Sequence, residues 1–182
     1  MTAALILIDI QRGFDAPQWG QRNNPQAEAN AARLLAHWRI TGAPLFHIRH
    51  VSVQPGSPPS VEGAEIKPEV APLPHEPVLN KSVNSAFIGT DLAARLHGIS
   101  ELVICGLTTP HCVSTTCRMA ANMGWVVTLA HDAGAAFASN ADTSWQAGLP
   151  PMRPLTPAAI HAAAISHLHG EFVTARPTGS LL

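Results

Sequence analysis

The sequence predicts a single α/β domain spanning residues 1–182, built on a doubly wound sheet of six mostly parallel strands with helices on both faces. Short apolar runs alternate along the chain with capped helical stretches. These runs are nearly continuous in their apolar character, which is typical of parallel strands buried on both faces. The composition, 46% hydrophobic and 13% charged over 182 residues, fits a compact domain with a sizeable core.

Each predicted element has a local signal. The six strands are the apolar runs at residues 3–8, 44–48, 77–81, 101–105, 125–130 and 171–175. Four helices lie between them, bounded by Asn24-Pro25 and Gly42, by Thr90 and Gly98, by residue 110 and Gly124, and by Thr156-Pro157 and Gly170. With right-handed crossovers the sheet is Rossmann-like, and its functional groups are expected beyond the carboxyl ends of the strands.

Two long segments, residues 54–77 and 139–154, interrupt the alternation of strands and helices. Both are rich in proline. Long loops in a compact domain usually serve as lids, binding loops or interfaces. We therefore expect substrate specificity to depend on these two segments.

Charge and cysteine content exclude several classes of partner. The net charge is −1 and no lysine or arginine cluster occurs, so neither a nucleic acid nor a membrane surface is expected as a partner. The apolar run at residues 3–8 is too short to span a membrane and follows no basic segment. Three cysteines without CxxC spacing predict neither a disulfide framework nor a zinc site, which favours a cytoplasmic location. The low charge content also favours a homo-oligomer.

Cys112 is the strongest candidate for chemistry. It follows the fourth strand and lies about one turn inside the predicted helix at 110–123. A helix N-terminus favours a thiolate, so we expect a lowered thiol pKa and a nucleophilic role. Cys105 and Cys117, one within a strand and one on a helix, fit buried packing positions instead.

Asp9 and Lys81 complete a chemically sensible set with Cys112. Asp9 ends the first strand and could take the thiol proton and later give it to a leaving amine, although a helix cap or salt bridge would also explain it. Lys81 could hold the carboxylate and stabilise an oxyanion, although a solvated loop lysine is the simpler explanation of that residue alone. Backbone N–H groups at the start of the 110–123 helix could form the oxyanion hole.

The segments around these residues resemble the isochorismatase-like cysteine hydrolases. The similarity lies in residues 7–14, 81–92, 106–113 and 130–133, and it extends from about residue 3 to 175. The resemblance implies a six-stranded parallel sheet and a catalytic triad of Asp9, Lys81 and Cys112. It also implies a cis peptide bond between Leu107 and Thr108, with the amides of Thr108 and Cys112 directed at the oxyanion.

The same resemblance implies a substrate class. Family members with the cysteine cleave C–N bonds of small molecules, whereas the isochorismatases proper, which cleave a vinyl ether, lack it. Cys112 therefore favours hydrolysis of an amide, carbamoyl or ureide substrate through a thioester, with no cofactor. Relatives are usually dimers or tetramers. The expected substrate-binding residues are the pocket-lining Phe14, Trp19 and Phe87 and the polar Asn84, Thr109 and His111.

No metal is expected. Nicotinamidases of this family carry an aspartate and histidine metal cluster after the second strand. This chain has His47 and His50 there without the aspartate, and the two point to opposite faces of a strand. Whether either histidine contacts substrate is left open by the sequence.

Two other interpretations compete with the hydrolase. His111, Cys112 and Arg118 satisfy the His-Cys-x5-Arg spacing of the protein tyrosine phosphatases, although no glycine lies between Cys112 and Arg118 to form a phosphate cradle. The chain could also be a catalytically silent family member that acts as a binding subunit, against which the intact Asp9, Lys81 and Cys112 argue.

Overall fold

A six-stranded parallel sheet forms the centre of the protein. The computed structural model describes residues 3–53, 57, 63–147 and 154–182. All five strand pairings are parallel, and the spatial order is β3-β2-β1-β4-β5-β6. The predicted fold class is confirmed, and the strand order, which the sequence left open, is that of a doubly wound sheet. The strands are β1 (Ala4–Ile8), β2 (Leu45–His50), β3 (Val78–Lys81), β4 (Glu101–Leu107), β5 (Val126–Ala135) and β6 (Thr174–Arg176).

In the described part of the chain, four α-helices connect and cover the strands, namely α1 (Ala27–Thr41), α2 (Leu92–Arg95), α3 (Ser114–Asn122) and α4 (Pro157–Ser166). Gly42 ends α1 in the left-handed region at φ 67°, where glycine carries no Cβ penalty. The Thr156 side chain caps α4 by accepting a hydrogen bond from the Ala159 N–H at 3.1 Å. The predicted signals at these two helix ends are therefore confirmed.

Alternate residues of β1 face two separate apolar cores. Leu5 and Leu7 pack with Leu34 and Leu35 of α1 on one face of the sheet. On the other face, Ile6 and Ile8 pack in a core with residues of α2 and α3. Because both faces are buried, the strand needs apolar residues at every position, which explains its unbroken apolar sequence.

The switch point of the sheet lies between β1 and β4, where the chain crosses back after building β2 and β3 outward. Gly106 in β4 has φ 128°, and a Cβ at this position would collide with the carbonyl oxygen of Ile8. Only glycine permits this close approach of the two backbones. The approach brings the residues that follow β1 and β4 to one crevice at the carboxyl edge, where doubly wound sheets bind ligands.

Several predicted boundaries differ in the structure; the helix predicted between Thr90 and Gly98, for example, is the single turn α2 (Leu92–Arg95). The predicted helix at 110–123 begins as a π-helical turn, Thr109–Val113, before α3. Strand β5 extends to Ala135 rather than 130, because after a register shift Gly134 and Ala135 pair with Gly106 and Leu107 of β4. The last strand is shorter than predicted.

Parts of the two predicted loops, residues 54–56, 58–62 and 148–153, lie outside the described residues. The described parts include short 3₁₀ turns at Pro68–Val70, Ala138–Asn140 and Ser144–Gln146. Within the described ranges, no helix combines the length and the apolar character needed to cross a membrane.

Candidate active site

Three strand ends bring Asp9, Lys81 and Cys112 together. Asp9 directly follows β1, Lys81 is the last residue of β3, and Cys112 lies in the π-helical turn after β4. The Lys81 ammonium Nζ lies 2.7 Å from Asp9 Oδ2 and 3.3 Å from Cys112 Sγ. The structure thus places the three predicted residues in direct contact, while their catalytic roles stay a prediction.

The Lys81 ammonium is fully used by its neighbours. Besides Asp9 and Cys112, Nζ lies 3.0 Å from His50 Nδ1 and 3.1 Å from the Val83 carbonyl oxygen. An ammonium has three protons, so four acceptors exceed what it can satisfy at once. The side chain is buried, with the whole residue 2% exposed. Its orientation is therefore set by four groups rather than by solvent.

Asp9 has one oxygen that no described residue satisfies. Its carboxylate is fully buried, and Oδ1 has no hydrogen-bond partner among the described residues. A carboxylate oxygen of Asp9 and the Cys112 sulfur lie within 4.8 Å of each other. An unpaired buried acceptor is unfavourable, so Oδ1 is well suited to receive a proton from the thiol.

Burial dominates the acid–base chemistry of this group. It raises the pKa of Asp9 even against the pull of Lys81. Burial and the negative charge of Asp9 raise the pKa of the Cys112 thiol to about 12. The expected lowering of the thiol pKa is therefore wrong, because burial and the Asp9 carboxylate outweigh the effect of Lys81. With two acids and one cation, the group is neutral when Asp9 and Cys112 hold one proton between them.

His50 lies at the end of β2, between the strands that carry Asp9 and Lys81. Its backbone N–H donates to Gln11 Oε1 at 2.7 Å, and Gln11 Nε2 donates to its carbonyl at 2.8 Å. Burial and the nearby Lys81 lower the pKa of His50 to about 4, so the ring is neutral at pH 7. The residue is held by a buried glutamine and belongs to the site.

A cavity of about 710 Å³ opens over this group. Of the predicted site residues, those that line it are Phe14, Trp19, Asn84, Thr108, His111 and Cys112. The lining residues that were not predicted are His50, Ser52, Val53, Ser57, Ser82 and Val83. Several of these follow a strand directly, a position that could have indicated them.

One wall of the cavity is aromatic. The Phe14 and Trp19 rings lie 4.9 Å apart between centroids, and both pack on Phe137 behind them. Trp19 Nε1 donates to the Gly13 carbonyl at 2.9 Å, which fixes the indole. The wall is therefore rigid and apolar, and it can hold the flat or apolar part of a small molecule.

Two predicted substrate-binding residues lie elsewhere. Phe87 stacks on Trp125 with 5.2 Å between centroids and belongs to the core beneath α2 and α3. Thr109 is 1% exposed; its Oγ1 donates to the Ala135 carbonyl and lies 2.8 Å from His161 Nδ1. The prediction was wrong for both, because each side chain is committed to packing away from the cavity.

The two histidines of β2 have separate environments, as predicted from strand geometry. His47 is buried, and its Nε2 lies 3.1 Å from Glu76 Oε2, away from the cavity lining. A metal ion could in principle use Asp9, His50 and Cys112, whose donor atoms lie within 4.8 Å of one another. The Lys81 ammonium lies 2.7–3.3 Å from an atom of each, so an ion would have to displace it.

Arg118 does not face Cys112. Its guanidinium lies 4.5 Å from the centroid of the Phe172 ring and donates to the His167 carbonyl at 3.2 Å. A phosphatase of the His-Cys-x5-Arg type needs this arginine to close its phosphate-binding loop. The phosphatase interpretation therefore lacks the cation on which it depends.

The peptide bond between Leu107 and Thr108 is cis, as the resemblance implied. Beyond this bond, the Thr108 carbonyl accepts hydrogen bonds from the N–H groups of His111 and Val113 at 3.1 and 3.3 Å. Thr108 and Cys112 both line the cavity. Their role as an oxyanion hole stays a prediction.

Comparison with known proteins gives a consistent result. The isochorismatase domain family matches residues 3–165. The Bacillus subtilis isochorismatase family protein YrdC is 43% identical over 185 residues, which cover 98% of this chain and 94% of that protein. Streptothricin hydrolase from Streptomyces noursei is 35% identical over 141 residues, covering 74% of this chain and 50% of that protein.

Among solved structures, an isochorismatase-family hydrolase from Chromobacterium violaceum superposes with a TM-score of 0.90 at 42% identity. The match covers 99% of this chain and 91% of that one. Fold, site geometry and sequence similarity thus agree, and this chain belongs to the isochorismatase family of cysteine hydrolases.

Proposed function

We propose that this protein hydrolyses a C–N bond of a small amide, carbamoyl or ureide substrate through a thioester on Cys112. The observation that carries the proposal is the Lys81 ammonium, 2.7 Å from a buried carboxylate and 3.3 Å from a sulfur that lines a cavity. A buried acid, cation and thiol in contact are the groups that a nucleophilic hydrolysis needs.

The first step is transfer of the thiol proton from Cys112 to Asp9. The unsatisfied Oδ1 of Asp9 supports this direction, since it has an acceptor position free among the described residues. The transfer leaves the net charge of the buried group unchanged, so it avoids the penalty of creating an uncompensated buried charge. Lys81 then pairs with the thiolate that forms.

The thiolate attacks the substrate carbonyl, and the carbonyl electrons move to oxygen. The amides of Thr108 and Cys112 and the Lys81 ammonium stabilise that oxyanion. When the tetrahedral intermediate collapses, the C–N bond breaks and Asp9 gives its proton to the departing nitrogen. Ammonia or an amine leaves, and the acyl group remains on sulfur.

Water completes the cycle. Asp9, again ionised, takes a proton from a water molecule while the water oxygen attacks the thioester carbon. The C–S bond breaks, the carboxylic or carbamic acid is released, and the proton returns to sulfur. Each turnover consumes one water and restores the starting group.

Similarity to streptothricin hydrolase supports a hydrolytic reaction, and the presence of Cys112 separates this chain from the isochorismatases proper. We also propose, from the composition alone, a homo-oligomer with a cytoplasmic location and only a small molecule as partner. Oligomeric state is measured by light scattering of the purified protein, and a monomer would contradict that part.

Cys112→Ala tests the mechanism. Ammonia or amine release from a panel of small amides and ureides should fall at least about 1,000-fold, because the nucleophile is gone. Cys117→Ala is the matched control, since Cys117 is fully buried in the α3 core and lies outside the cavity lining. Mass spectrometry of quenched wild-type enzyme should show the acyl adduct on Cys112. A Cys112→Ala variant that retained more than a few per cent of activity would exclude the thioester.

A further inference from the structure

His50 is a neutral titratable group in direct contact with Lys81, like the Cys112 thiol. It lies opposite Lys81 in the β2–β3 register, and its backbone is held on both sides by Gln11. One ring nitrogen lies within 4.8 Å of Cys112 Sγ and of an Asp9 carboxylate oxygen. The ring also lines the cavity. His50 is thus at the reaction centre, although the mechanism above assigns it no role.

Lys81 determines which ring nitrogen of His50 carries the proton. Lys81 is ion-paired with Asp9 and can only donate to Nδ1, 3.0 Å away. A proton on Nδ1 would face this donor-only ammonium, so the neutral imidazole keeps its Nδ1 lone pair towards Lys81 and carries its proton on Nε2. With its lone pair engaged, His50 cannot act as a base. What it offers is a hydrogen-bond donor, Nε2–H, on the opposite side of the ring from Lys81.

We propose that His50 Nε2–H donates a hydrogen bond to a second acceptor atom of the substrate, next to the scissile carbonyl. This inference rests on the proposed thioester mechanism. The scissile carbon must come within bonding distance of Cys112 Sγ, so an acceptor reached by a ring this close belongs to a neighbouring group of the same small molecule. Ureides, N-carbamoyl compounds and diamides have such an acceptor; simple alkyl or aryl amides do not.

The polar side of the cavity fits a substrate of this class. Ser82 and Asn84 follow Lys81 in the chain and line the cavity with His50, and Ser57 is a further hydroxyl in the lining. These neutral polar groups belong to other segments of the chain than Phe14 and Trp19, which form the aromatic wall. A molecule with two adjacent carbonyl or amide groups can use both the triad and this polar side.

Two substrates of similar size test the contact. Malonamide has a second amide where 3-methylbutanamide has an isopropyl group, so a polar group with a carbonyl acceptor is replaced by an apolar one. Wild-type enzyme should prefer malonamide in kcat/KM by about 30-fold, since an unpaired buried donor penalises the apolar analogue. If neither compound is turned over, their protection of Cys112 from iodoacetamide gives the same comparison.

Two variants separate the ring nitrogens. His50→Asn places an oxygen near the Nδ1 position, which keeps the acceptor for Lys81 but loses the donor. His50→Gln places an amide N–H near the Nε2 position, which keeps the donor. The preference for malonamide should fall to about one in His50→Asn and stay within about threefold of wild type in His50→Gln. If His50 had only a structural role, its replacement would lower kcat/KM for both substrates by the same factor and leave their ratio unchanged.

The outcomes are distinct. The inference is overturned if wild-type enzyme has the same kcat/KM for both substrates. It is also overturned if the ratio of the two kcat/KM values is the same in wild type and His50→Asn. Cys112→Ala in the same assays tests the mechanism on which the inference rests. If that variant is inactive while the His50 variants retain the wild-type ratio, only the role of His50 fails. If it still turns over malonamide, the thioester mechanism itself fails.

Discussion

The protein contains two buried lysines in ion pairs, and they differ in the number of acids around them. Lys67 lies 2.5 Å from Asp15 Oδ1 and 2.8 Å from Glu28 Oε1. Arg22 also pairs with Glu28, at 2.8 Å, so this cluster has two cations and two carboxylates. It connects α1 to the turn behind Phe14 and to the segment before the Pro68–Val70 turn.

Lys81, in contrast, is one cation beside two acids, Asp9 and Cys112. Burial alone would raise the pKa of Glu28, but hydrogen bonds from Arg22 and Lys67 lower it to about 2. Burial prevails at the other site, where the pKa values of Asp9 and Cys112 are both raised. The balanced cluster keeps Glu28 ionised and serves stability, whereas a cluster with one acid in excess retains a proton that chemistry can move.

Replacing each lysine by methionine should give the largest difference between the two clusters. Lys81→Met removes the cation that pairs with the thiolate and the oxyanion, so kcat/KM should fall by at least about 1,000-fold. Lys67→Met should leave kcat/KM within about threefold but lower the free energy of unfolding by about 2 kcal/mol, since Glu28 keeps Arg22 as a partner. Steady-state kinetics and urea unfolding measure the two effects. Equal losses of activity in both variants would show that the two clusters do not differ in role.

Acid titration of stability sharpens the comparison on the structural side. The pKa of Glu28 is lower in the folded protein than its ordinary value of 4.5. Its contribution is therefore complete above that ordinary value and is lost as the pH falls through the folded pKa near 2. From this group alone the loss amounts to up to about 3 kcal/mol. Hydrogen bonds from Arg39 also lower the pKa of Glu76 to about 2. Glu76 therefore contributes stability that is lost over the same pH range.

Urea unfolding of wild type and Glu28→Gln across this pH range gives the test. The variant should be less stable at neutral pH and should lose less stability on acidification. Parallel curves for the two proteins would show that the Lys67 cluster does not hold its acid ionised.

The smallest expected effect concerns the excess acid itself. Asp9→Asn removes the charge that raises the thiol pKa and leaves Lys81, which lowers it. Iodoacetamide at pH 7 should therefore alkylate Cys112 at least about tenfold faster than in wild type, which corresponds to about one pKa unit. Turnover should nevertheless be lost, because no group remains to protonate the leaving nitrogen.

Peptide mass spectrometry follows this alkylation, with the buried Cys105 and Cys117 as internal controls. Slower or unchanged modification of Cys112 in Asp9→Asn would mean that the thiolate, not the thiol, is the resting form beside Lys81.

The sequence predicted the class of fold and the main site residues for one physical reason. Parallel strands buried on both faces leave long apolar signals, and their carboxyl ends converge. Asp9, Lys81 and Cys112 each follow such a signal. The strand order was out of reach, because it depends on which runs pair and not on their composition.

What the sequence could not predict depends on burial. The direction of the Cys112 pKa was wrong because the desolvation of the group is set by the packed structure. Phe87 was expected in the cavity because the family resemblance placed it there, but its ring turns into the core beside Trp125. The Lys67 cluster joins Asp15, Glu28 and Lys67 across more than fifty residues, and no local pattern indicates that pairing.

Asp9 occupies a backbone conformation, φ 51°, that restricts what evolution can place there. Left-handed backbone is tolerated by asparagine, aspartate and glycine and is unfavourable for β-branched or bulky residues. In relatives that lose the activity but keep the fold, few substitutions at position 9 are therefore compatible with the backbone. We expect such lineages to carry asparagine or glycine in place of the acid, which makes position 9 a marker for decayed paralogues.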